Sequence, residues 1–487
     1  MKHTQKGRII LKHTFSLILG LLFLLYLETQ TVVAAPTPAS RLQAERPPAG
    51  DENTEDFTIF LPLISRNYDA ALTMTISTLP NDPYYEEQWA LDKIGAPQAW
   101  EATKGEDILI AILDTGVDFS HNDLSAKLRD DLDRDFVNET HTAQDDHGHG
   151  THITGIAAAA TNNEEGIVGL GWEAEILPLK VLNQQGNGAL SDAAQAIYYA
   201  TNMGADVINM SFATDPSYNL QCSDVPILVE ALTYAYEHGV AIVAAAGNDG
   251  QDAQNVVPAN CPYVLTVAAT KSDDEIASFS NYGAEIDLAA PGVSIYSTYR
   301  NNRYSYKSGT SMAAPFVSGL AALLRAKYPD YSPDHVAAAM QESALDLGDP
   351  GWDPIYGAGR IDVATAILNG AAVISESYRS PALHPTPVAT DTTASALAMT
   401  PPASYIPGRL IVRLAAAADP QSLHAQQRNS IASITPLITA AEFTDVTEEI
   451  ARLEVQPGRE QQVAQQLIES GIATAVHLDY EVSLSMP

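Results

Sequence analysis

The sequence contains few cysteines and few basic residues. Only two of its 487 residues are cysteine, and they are therefore the only candidates for a disulfide. Lysine and arginine together number 26 against 60 aspartates and glutamates, which gives a formal net charge of −34 at pH 7. This excess of acidic residues argues against nucleic acid or an anionic membrane as a partner, and it favours a soluble protein that binds cations.

The apolar run near the N-terminus is short. Basic residues precede the run Phe15–Tyr26, and the small residues 32–35 follow it. The run is too short for a comfortable membrane span, and the pattern is typical of a secretory signal peptide, which we predict at residues 1–34. Export would permit a disulfide between Cys222 and Cys261, whereas two inert thiols are the alternative.

The length and composition otherwise fit one large globular domain and a smaller one. Residues 35–79 are polar and rich in proline, apart from an apolar stretch at 59–64. This composition predicts a flexible leader and not a domain. The pattern changes at residue 80, where runs typical of strands and helices begin.

Five apolar runs after residue 80 have the length and composition of buried parallel strands. They are Ile108–Leu113, Ile176–Leu182, Val207–Met210, Val240–Ala246 and Val264–Ala268. Helical stretches lie between them, for example Ala189–Met203 and Val225–His238, and each is followed by glycine. The alternation predicts an α/β fold, a doubly wound and mainly parallel sheet with helices on both faces, with an active site at the carboxyl ends of the strands.

Residue types used in acyl transfer lie at the ends of these elements. Asp114 ends one strand, and Asn248 follows another. His149 opens a helix of small residues, and Ser311 opens the apolar helix that extends to about Tyr328. At a helix N-terminus, the backbone N–H groups and the helix dipole can stabilise an oxyanion that forms beside Ser311. A serine at such a position, taken alone, is usually only a capping residue.

The closely spaced histidines His147, His149 and His152 offer an alternative, a metal site. We disfavour it because ligating histidines would be lost to acid–base catalysis. The sequence here also lacks the carboxylate and histidine spacing of zinc proteases.

Four motifs occur in an order and spacing that resemble those of the subtilisin-like serine proteases. They are Asp-Thr-Gly at 114–116, His-Gly-Thr-His at 149–152, Ala-Ala-Gly-Asn at 245–248 and Gly-Thr-Ser-Met-Ala-Ala-Pro at 309–315. The resemblance is strongest to the thermitase-like branch and covers residues 80–371, the predicted catalytic domain. The order Asp, His, Ser fits subtilisins and differs from that of chymotrypsin-like enzymes and α/β-hydrolases.

The resemblance implies a role for each motif residue. Ser311 would be the nucleophile and His149 the base that accepts its proton. Asp114 would hold His149 in the required tautomer. Asn248 would donate its side-chain amide to the oxyanion, together with the Ser311 backbone N–H.

The resemblance also implies a groove for an extended peptide, lined by Gly186, Gly188, Leu190, Ser211, Ala213 and Gly247. The family usually has Ser-Leu-Gly-Gly where this sequence has Ser-Phe-Ala-Thr at 211–214. Side chains at Ala213 and Thr214 replace two hydrogens, so we expect a narrower first pocket than usual. The resemblance implies that the loops carrying Cys222 and Cys261 lie near this pocket, and a disulfide between them would rigidify it.

Calcium is the cofactor that the resemblance implies. The loop 160–167 matches a calcium loop of thermitase-like enzymes, although without the family it would be an ordinary solvated loop. The implied ligands are the side chains of Asp82, Asp123 and Asn163 and the carbonyls of Ala160, Glu165 and Ile167. The acidic loop 130–146 is a candidate for a second ion, without assigned ligands.

A second domain is predicted at residues 405–487, after a linker at 372–404 rich in proline, threonine and alanine. Its pattern predicts a βαββαβ order and a small α+β ferredoxin-like fold. The helices are expected at 420–429 and 459–470, and the strands at 409–414, 431–437, 451–456 and 473–484.

This domain resembles the propeptides of the same protease family, which normally precede the catalytic domain. We expect it to inhibit the enzyme in cis and to assist its folding, with Ser483–Pro487 reaching the cleft like a product. An unrelated interaction module is the alternative.

The sequence therefore predicts a secreted, calcium-stabilised serine endopeptidase that acts on polypeptides. We expect a monomer with its own C-terminal domain as intramolecular inhibitor, without nucleic acid partners and without membrane attachment after signal cleavage. A catalytically silent binding protein on the same scaffold is the alternative, but all members of the implied triad are present.

Overall fold

A parallel sheet of seven strands forms the centre of the protein in a computed structural model, which describes residues 79–373, 405–414, 438–443, 450–470 and 472–484. The predicted signal peptide and the leader up to 78 lie outside these residues, as does the linker from 374 onwards. The sheet strands are β1 Leu109–Asp114, β2 Arg134–Asp135, β3 Glu175–Lys180, β5 Val207–Met210, β6 Ala241–Ala245, β7 Val264–Thr270 and β8 Leu288–Pro291. Their spatial order is β2-β3-β1-β5-β6-β7-β8.

The sheet is buried on both faces, as its apolar runs predict. All residues of β1 and β7 are buried. Ile110 and Ile112 belong to one cluster of buried residues, whereas Ala111 and Leu113 belong to another. Because successive side chains of a strand point to opposite faces, the two clusters lie on the two sides of the sheet. This arrangement confirms the predicted doubly wound fold.

Helices cover the two faces of the sheet. They are α1 Trp89–Lys93, α2 Ala96–Trp100, α3 His149–Ala158, α4 Leu190–Asn202, α5 Pro226–Glu237, α6 Thr310–Lys327, α7 Pro333–Ser343 and α8 Val363–Val373. The apolar sides of α3 and α6 join the first cluster, and those of α4 and α5 join the second. The antiparallel pair of β9 Ile295–Tyr299 and β10 Arg303–Lys307 lies outside the central sheet. Within the described residues, the helices are too short or too polar to cross a membrane.

The C-terminal residues form strands β11 Tyr405–Leu414, β12 Ile438–Phe443, β13 Ile450–Val455 and β14 Ala473–Ser483, with helix α9 Glu460–Glu469 before the last strand. The predicted helix at 420–429 and the predicted strand at 431–437 lie outside the described residues. A described strand begins directly afterwards, at Ile438.

These strands form one antiparallel sheet with the order β12-β13-β11-β14-β4, in which β4 is the short strand Asn187–Ala189 of the preceding domain. Apolar residues of β11, β13, α9 and β14 share one cluster with α4 and α5. The C-terminal strands therefore pack on the α4 and α5 side of the central sheet and extend their own sheet into the first domain.

Candidate active site

Asp114 and His149 form a buried hydrogen-bonded pair. Asp114 is the last residue of β1, and His149 is the first residue of α3. The Nδ1 atom of His149 lies 2.8 Å from Asp114 Oδ1 and 2.9 Å from Oδ2. The next residue of α3, Gly150, permits this approach, because a Cβ atom there would lie 2.1 Å from the carbonyl oxygen of Gly116. The carboxylate therefore fixes the orientation of the imidazole ring.

Asp145 holds the turn that leads into helix α3. Its Oδ1 accepts the Thr115 hydroxyl at 2.9 Å and the N–H groups of His147 and Gly148 at 2.9 and 2.7 Å. Its Oδ2 accepts the N–H and the hydroxyl of Thr151. These bonds satisfy donors at the helix start, as a capping carboxylate does. Asp145 belongs to the acidic loop 130–146, a candidate for a second ion, and both of its carboxylate oxygens accept hydrogen bonds here.

The histidines beside His149 have different surroundings. His152 is fully buried, and its Nε2 lies 3.0 Å from the carbonyl oxygen of Ser305. Burial lowers the pKa of His152 to about 3, so this ring is neutral at physiological pH. Burial also lowers the pKa of His147. The part of the chain that the structure describes contains no cluster of three or more histidine, cysteine or acidic side chains arranged around a metal.

Ser311 lies in the first turn of α6, buried to 5% exposure. Pro315, four residues later, has no N–H to donate to the Ser311 carbonyl. The Ser211 hydroxyl fills this gap and donates to that carbonyl at 3.0 Å. The Ser311 hydroxyl in turn donates to the Ser211 carbonyl at 3.0 Å. In the described structure the Ser311 hydroxyl is hydrogen-bonded to the Ser211 carbonyl and not to His149.

Asn248 is tied to the start of helix α6. Its Oδ1 accepts the N–H of Thr310 at 2.8 Å and the Thr310 hydroxyl at 2.9 Å. The Gly247 N–H donates to the same hydroxyl at 3.1 Å. With Oδ1 committed to Thr310, the donor atom of the amide is Nδ2. A Cβ atom on Gly309 would lie 3.4 Å from that Nδ2, so Asn248 reaches the turn beside Ser311.

The chain's own strand β14 lies in the predicted peptide groove. On one side Val482 and Ser483 pair antiparallel with Gly188 and Asn187 of β4. Past the end of β14, the Leu484 N–H donates to the carbonyl of Gly186 at 2.9 Å. A Cβ atom on Gly186 would come within 2.9 Å of the Leu484 side chain, so glycine leaves room for it.

The other side of the groove is the segment after β5. Ser483 donates its N–H to the Ala213 carbonyl at 3.0 Å and accepts the Ala213 N–H at 3.1 Å. Residues 482–484 therefore form the middle strand between the two predicted groove edges. The Thr214 hydroxyl accepts the N–H of Val257 at 2.9 Å, and Leu190 is buried at the start of α4. The predicted narrowing of the first pocket stays a prediction.

A buried carboxylate of β14 caps helix α4. The N-cap residue Ala189 has no side chain that can accept a hydrogen bond. Asp479, which is 1% exposed, accepts the N–H of Ser191 at 3.2 Å and its hydroxyl at 2.7 Å. Burial raises the pKa of Asp479. The C-terminal domain thus supplies a cap that the helix lacks.

Ion pairs also join the two domains. Arg452 of β13 contacts Asp192 and Glu139, each at 2.6 Å. Arg413 of β11 pairs with Glu230 of α5. Arg452 and Asp192 are both largely buried. Separating the domains would therefore break a buried ion pair and transfer both side chains to water.

The predicted calcium ligands lie together at one end of α3. Asp82 accepts the N–H of Asn162 at 2.8 Å, and Asp123 accepts the N–H of Ile167 at 2.7 Å. Asn163 donates its side-chain amide to Asp123 at 3.1 Å.

This donor set consists of oxygens that suit a hard cation. Burial raises the pKa of Asp123 to about 6, and the negative charge of Asp82 adds to the effect. Within the described chain, no basic side chain forms a salt bridge with either carboxylate. The residues present therefore fit a calcium ion, with the carbonyls of the loop 160–167 beside them.

Cys222 and Cys261 form a disulfide with a Cα–Cα distance of 5.1 Å. Cys222 precedes α5, and Cys261 lies just before β7. Both are buried in the cluster that also holds α4 and α5. The pairing confirms the disulfide predicted from the sequence and links the loop before α5 to the loop between β6 and β7.

Comparison with known proteins identifies the family. A model of the subtilase family matches residues 105–359, more than half of the chain. Thermitase from Thermoactinomyces vulgaris is 41% identical over 290 residues, a match that covers 59% of this chain and 99% of thermitase. The chain belongs to the subtilase family.

This subtilase is also 45% identical over 247 residues to a thermophilic serine proteinase of Bacillus sp. strain AK1. That match covers 50% of this chain and 59% of the length of the relative. A solved protease structure from Pseudoalteromonas arctica PAMC 21717 aligns with a TM-score of 0.55 and 31% identity, over 60% of this chain and 100% of the other. These similarities support the thermitase-like branch, and the family match ends before strand β11.

Proposed function

We propose that this subtilase is a secreted serine endopeptidase that cleaves peptide bonds through an acyl-enzyme. The observation that carries the proposal is the buried Asp114–His149 pair, which lies at the same sheet edge as the Ser311 turn and Asn248. The carboxyl ends of parallel strands and the N-termini of helices meet at this edge, as expected for a doubly wound fold. The signal-peptide pattern and the disulfide support secretion.

The proposed reaction moves one proton at each step. Ser311 Oγ attacks the carbonyl carbon while its proton passes to Nε2 of His149, and Asp114 stabilises the imidazolium through Nδ1. The oxyanion accepts hydrogen bonds from Asn248 Nδ2 and the Ser311 N–H. His149 then protonates the leaving amine, and a water molecule releases the acyl group by the same steps in reverse.

Extended polypeptides are the proposed substrates. The hydrogen bonds that residues 482–484 make with Gly186, Gly188 and Ala213 are main-chain bonds, which any extended peptide can reproduce. A substrate would add one strand between the same two edges. The chain's own tail and a substrate therefore compete for the groove.

The C-terminal domain is the proposed inhibitor in cis. Its support is the position of β14 in the groove, together with the Asp479 cap and the Arg452 ion pairs. An unrelated interaction module would not be expected to place a strand between the two groove edges.

Calcium is the proposed structural cofactor. Asp82, Asp123, Asn163 and the carbonyls of Ala160, Glu165 and Ile167 would hold it. When bound, the ion supplies positive charge that offsets the two neighbouring carboxylates. The chemistry at Ser311 does not involve it.

The test follows the secreted full chain over time, with Ser311→Ala as the matched control. Chain mass and hydrolysis of a peptide substrate are measured on the same samples. We expect the wild type to release the residues after 371 while its activity rises, and the variant to stay intact and inactive.

The outcomes separate the parts of the proposal. Hydrolysis that persists in Ser311→Ala contradicts the assigned nucleophile. If the uncleaved wild type is fully active from the start, inhibition in cis is contradicted, but the protease assignment is not. Full yield of active enzyme after deletion of residues 372–487 would exclude a role of that domain in folding.

A further inference from the structure

Lys180 is a charged side chain with only 1% exposure, the bulkiest of the fully buried residues in the described structure. It is the last residue of β3, directly beside Asp114 in the register of β1 and β3. Burying an ammonium group costs free energy unless its charge and its protons are satisfied. An apolar side chain would fill this place without that cost, so the charge calls for a specific explanation.

Each of the three ammonium protons of Lys180 has an acceptor. The Nζ atom lies 2.8 Å from the carbonyl oxygen of Thr115, 2.8 Å from that of Leu182 and 2.6 Å from Asp146 Oδ1. An ammonium group has three donors, and all three are used here. Lys180 therefore has no proton left for a substrate and does not take part in the chemistry directly.

The three acceptors belong to three different parts of the site. Thr115 follows Asp114, the residue that orients His149. Asp146 belongs to the turn that leads into α3 and lies three positions before His149. Leu182 pairs with Gly188 in an antiparallel bridge and so supports the groove edge that binds residues 482–484.

We propose that Lys180 is a positioning residue that holds the Asp114 turn, the His149 turn and the groove edge in one fixed arrangement. This inference rests on the proposed protease function. Its physical basis is that a bound peptide touches the groove edge, whereas the proton transfer uses Asp114 and His149. One ammonium group bonded to all three parts keeps the peptide and the base in register, and misplacement on the ångström scale lowers the rate of a positioned reaction.

The experiment compares Lys180→Met with Lys127→Met in the secreted full chain. Lys127 is a lysine that is only partly buried. Its Nζ donates to the carbonyl of Trp172, which precedes β3 and lies at the opposite end of that strand from Lys180. Active enzyme is counted with a serine-directed fluorophosphonate, and kcat, KM and the pH profile of kcat/KM are measured per active site. Thermal unfolding is measured for each variant.

We expect Lys180→Met to lower kcat per titrated site by about tenfold to a hundredfold. The acid limb of its pH profile should move to higher pH, because loss of a nearby positive charge favours the protonated base. Asp146→Asn removes a negative charge from the same cluster, so its acid limb should move to lower pH. Lys127→Met should leave kcat and the pH profile unchanged.

A purely structural role predicts a different result. The proposal is overturned if Lys180→Met lowers only the thermal midpoint. In that case the variant, assayed below its unfolding temperature, would have the wild-type kcat per active site and the wild-type pH profile. If Lys180→Met fails to fold, Asp146→Asn and Lys180→Arg decide, since the proposal requires a shifted profile in the first and a profile close to wild type in the second. Failure of the protease assignment would be visible separately, as activity that survives Ser311→Ala.

Discussion

At the scale of single residues, Asp287 is a buried acid whose protonation differs between the folded and unfolded chain. It lies just before β8 and accepts the Thr266 N–H at 2.8 Å and the Gln341 side-chain amide at 3.2 Å. Burial raises the pKa of Asp287 from the usual 3.8 to about 7. Between these two values the folded state binds a proton that the unfolded chain has lost, so stability falls as the pH rises through this window.

Asp287→Asn should therefore stabilise the protein more at about pH 8 than at about pH 4, because an amide mimics the protonated acid at all pH values. Thermal midpoints of wild type and variant across this range would measure the effect, and their difference should grow with pH by several degrees. Asp330→Asn, at an exposed position, is the control. A difference between Asp287→Asn and wild type that stays constant with pH would contradict the assigned titration.

Asn248→Ala should lower kcat with little change in KM, because in the proposed mechanism the amide contacts the oxyanion only as the tetrahedral intermediate forms. The expected loss is the one established for removing a single such donor in subtilisin, about 10²- to 10³-fold. Steady-state kinetics per titrated active site would measure it. An unchanged kcat would mean that Asn248 serves only to hold Thr310.

The sequence-based predictions of site residues rest on places where a residue type and a local motif coincide. Asp114 ends β1, His149 opens α3 and Ser311 lies in the first turn of α6, each inside a recognisable motif. Asp145 and Lys180 escaped detection for a physical reason. Their hydrogen-bond partners lie on other elements, and a lysine at the end of an apolar strand resembles an ordinary solvated strand end until its burial is known.

At the scale of elements, the Asp479 cap on helix α4 is a contact between domains that one substitution removes, together with the ion pair between Asp479 and Arg409 at 3.6 Å. Asp479→Ala leaves the N–H and hydroxyl of Ser191 without this acceptor, so the C-terminal domain should dock more weakly. We expect a shorter lag before activity appears in the time course of the secreted chain. Glu469→Ala, on the exposed end of α9, is the matched control and should keep the wild-type lag. Equal lags in both variants would mean that this cap does not contribute to inhibition.

The disulfide is a second feature at this scale. Cys222 and Cys261 are 39 positions apart, and opening a loop of this length should cost about 3 to 4 kcal/mol of unfolding free energy in the chain-entropy model. The double variant Cys222→Ala/Cys261→Ala should show this loss in urea unfolding. The same value for the variant and for the oxidised wild type would contradict the model.

Local apolar patterns located the elements well. The predicted strand Val207–Met210 matches β5, and the predicted helix Val225–His238 contains α5 with one extra residue at each end. The short strand β4 carries only three residues and no apolar run, so its pairing with β14 depends on contact between the domains. The resemblance to the family implied both groove edges, at Gly186–Gly188 and at Ala213, and a tail beginning at Ser483 in the cleft, and the structure pairs Ser483 with Asn187 and Ala213.

At the scale of the whole molecule, a net charge of −34 destabilises the folded chain through repulsion between its carboxylates. Binding of a cation should reduce this repulsion and stabilise the fold. Chelation of calcium should lower the thermal midpoint of the wild type, since an ion that binds only the folded state stabilises it by mass action. The double variant Asp82→Asn/Asp123→Asn should have a midpoint that no longer responds to added calcium. Unfolding scans with a chelator and with calcium would test this. A wild-type midpoint that is insensitive to the chelator would contradict the site.

The sheet that continues from the C-terminal domain into the groove has a further consequence for this chain. Because residues 374–404 join helix α8 to β11 covalently, β14 binds its groove in a unimolecular step. The occupied fraction of grooves is then the same at every protein concentration. Once that connection is cut, the same contacts become a bimolecular equilibrium, and dilution alone empties the groove. A secreted enzyme of this design would stay inhibited at every protein concentration until it is cleaved. After cleavage it would become active as it is diluted.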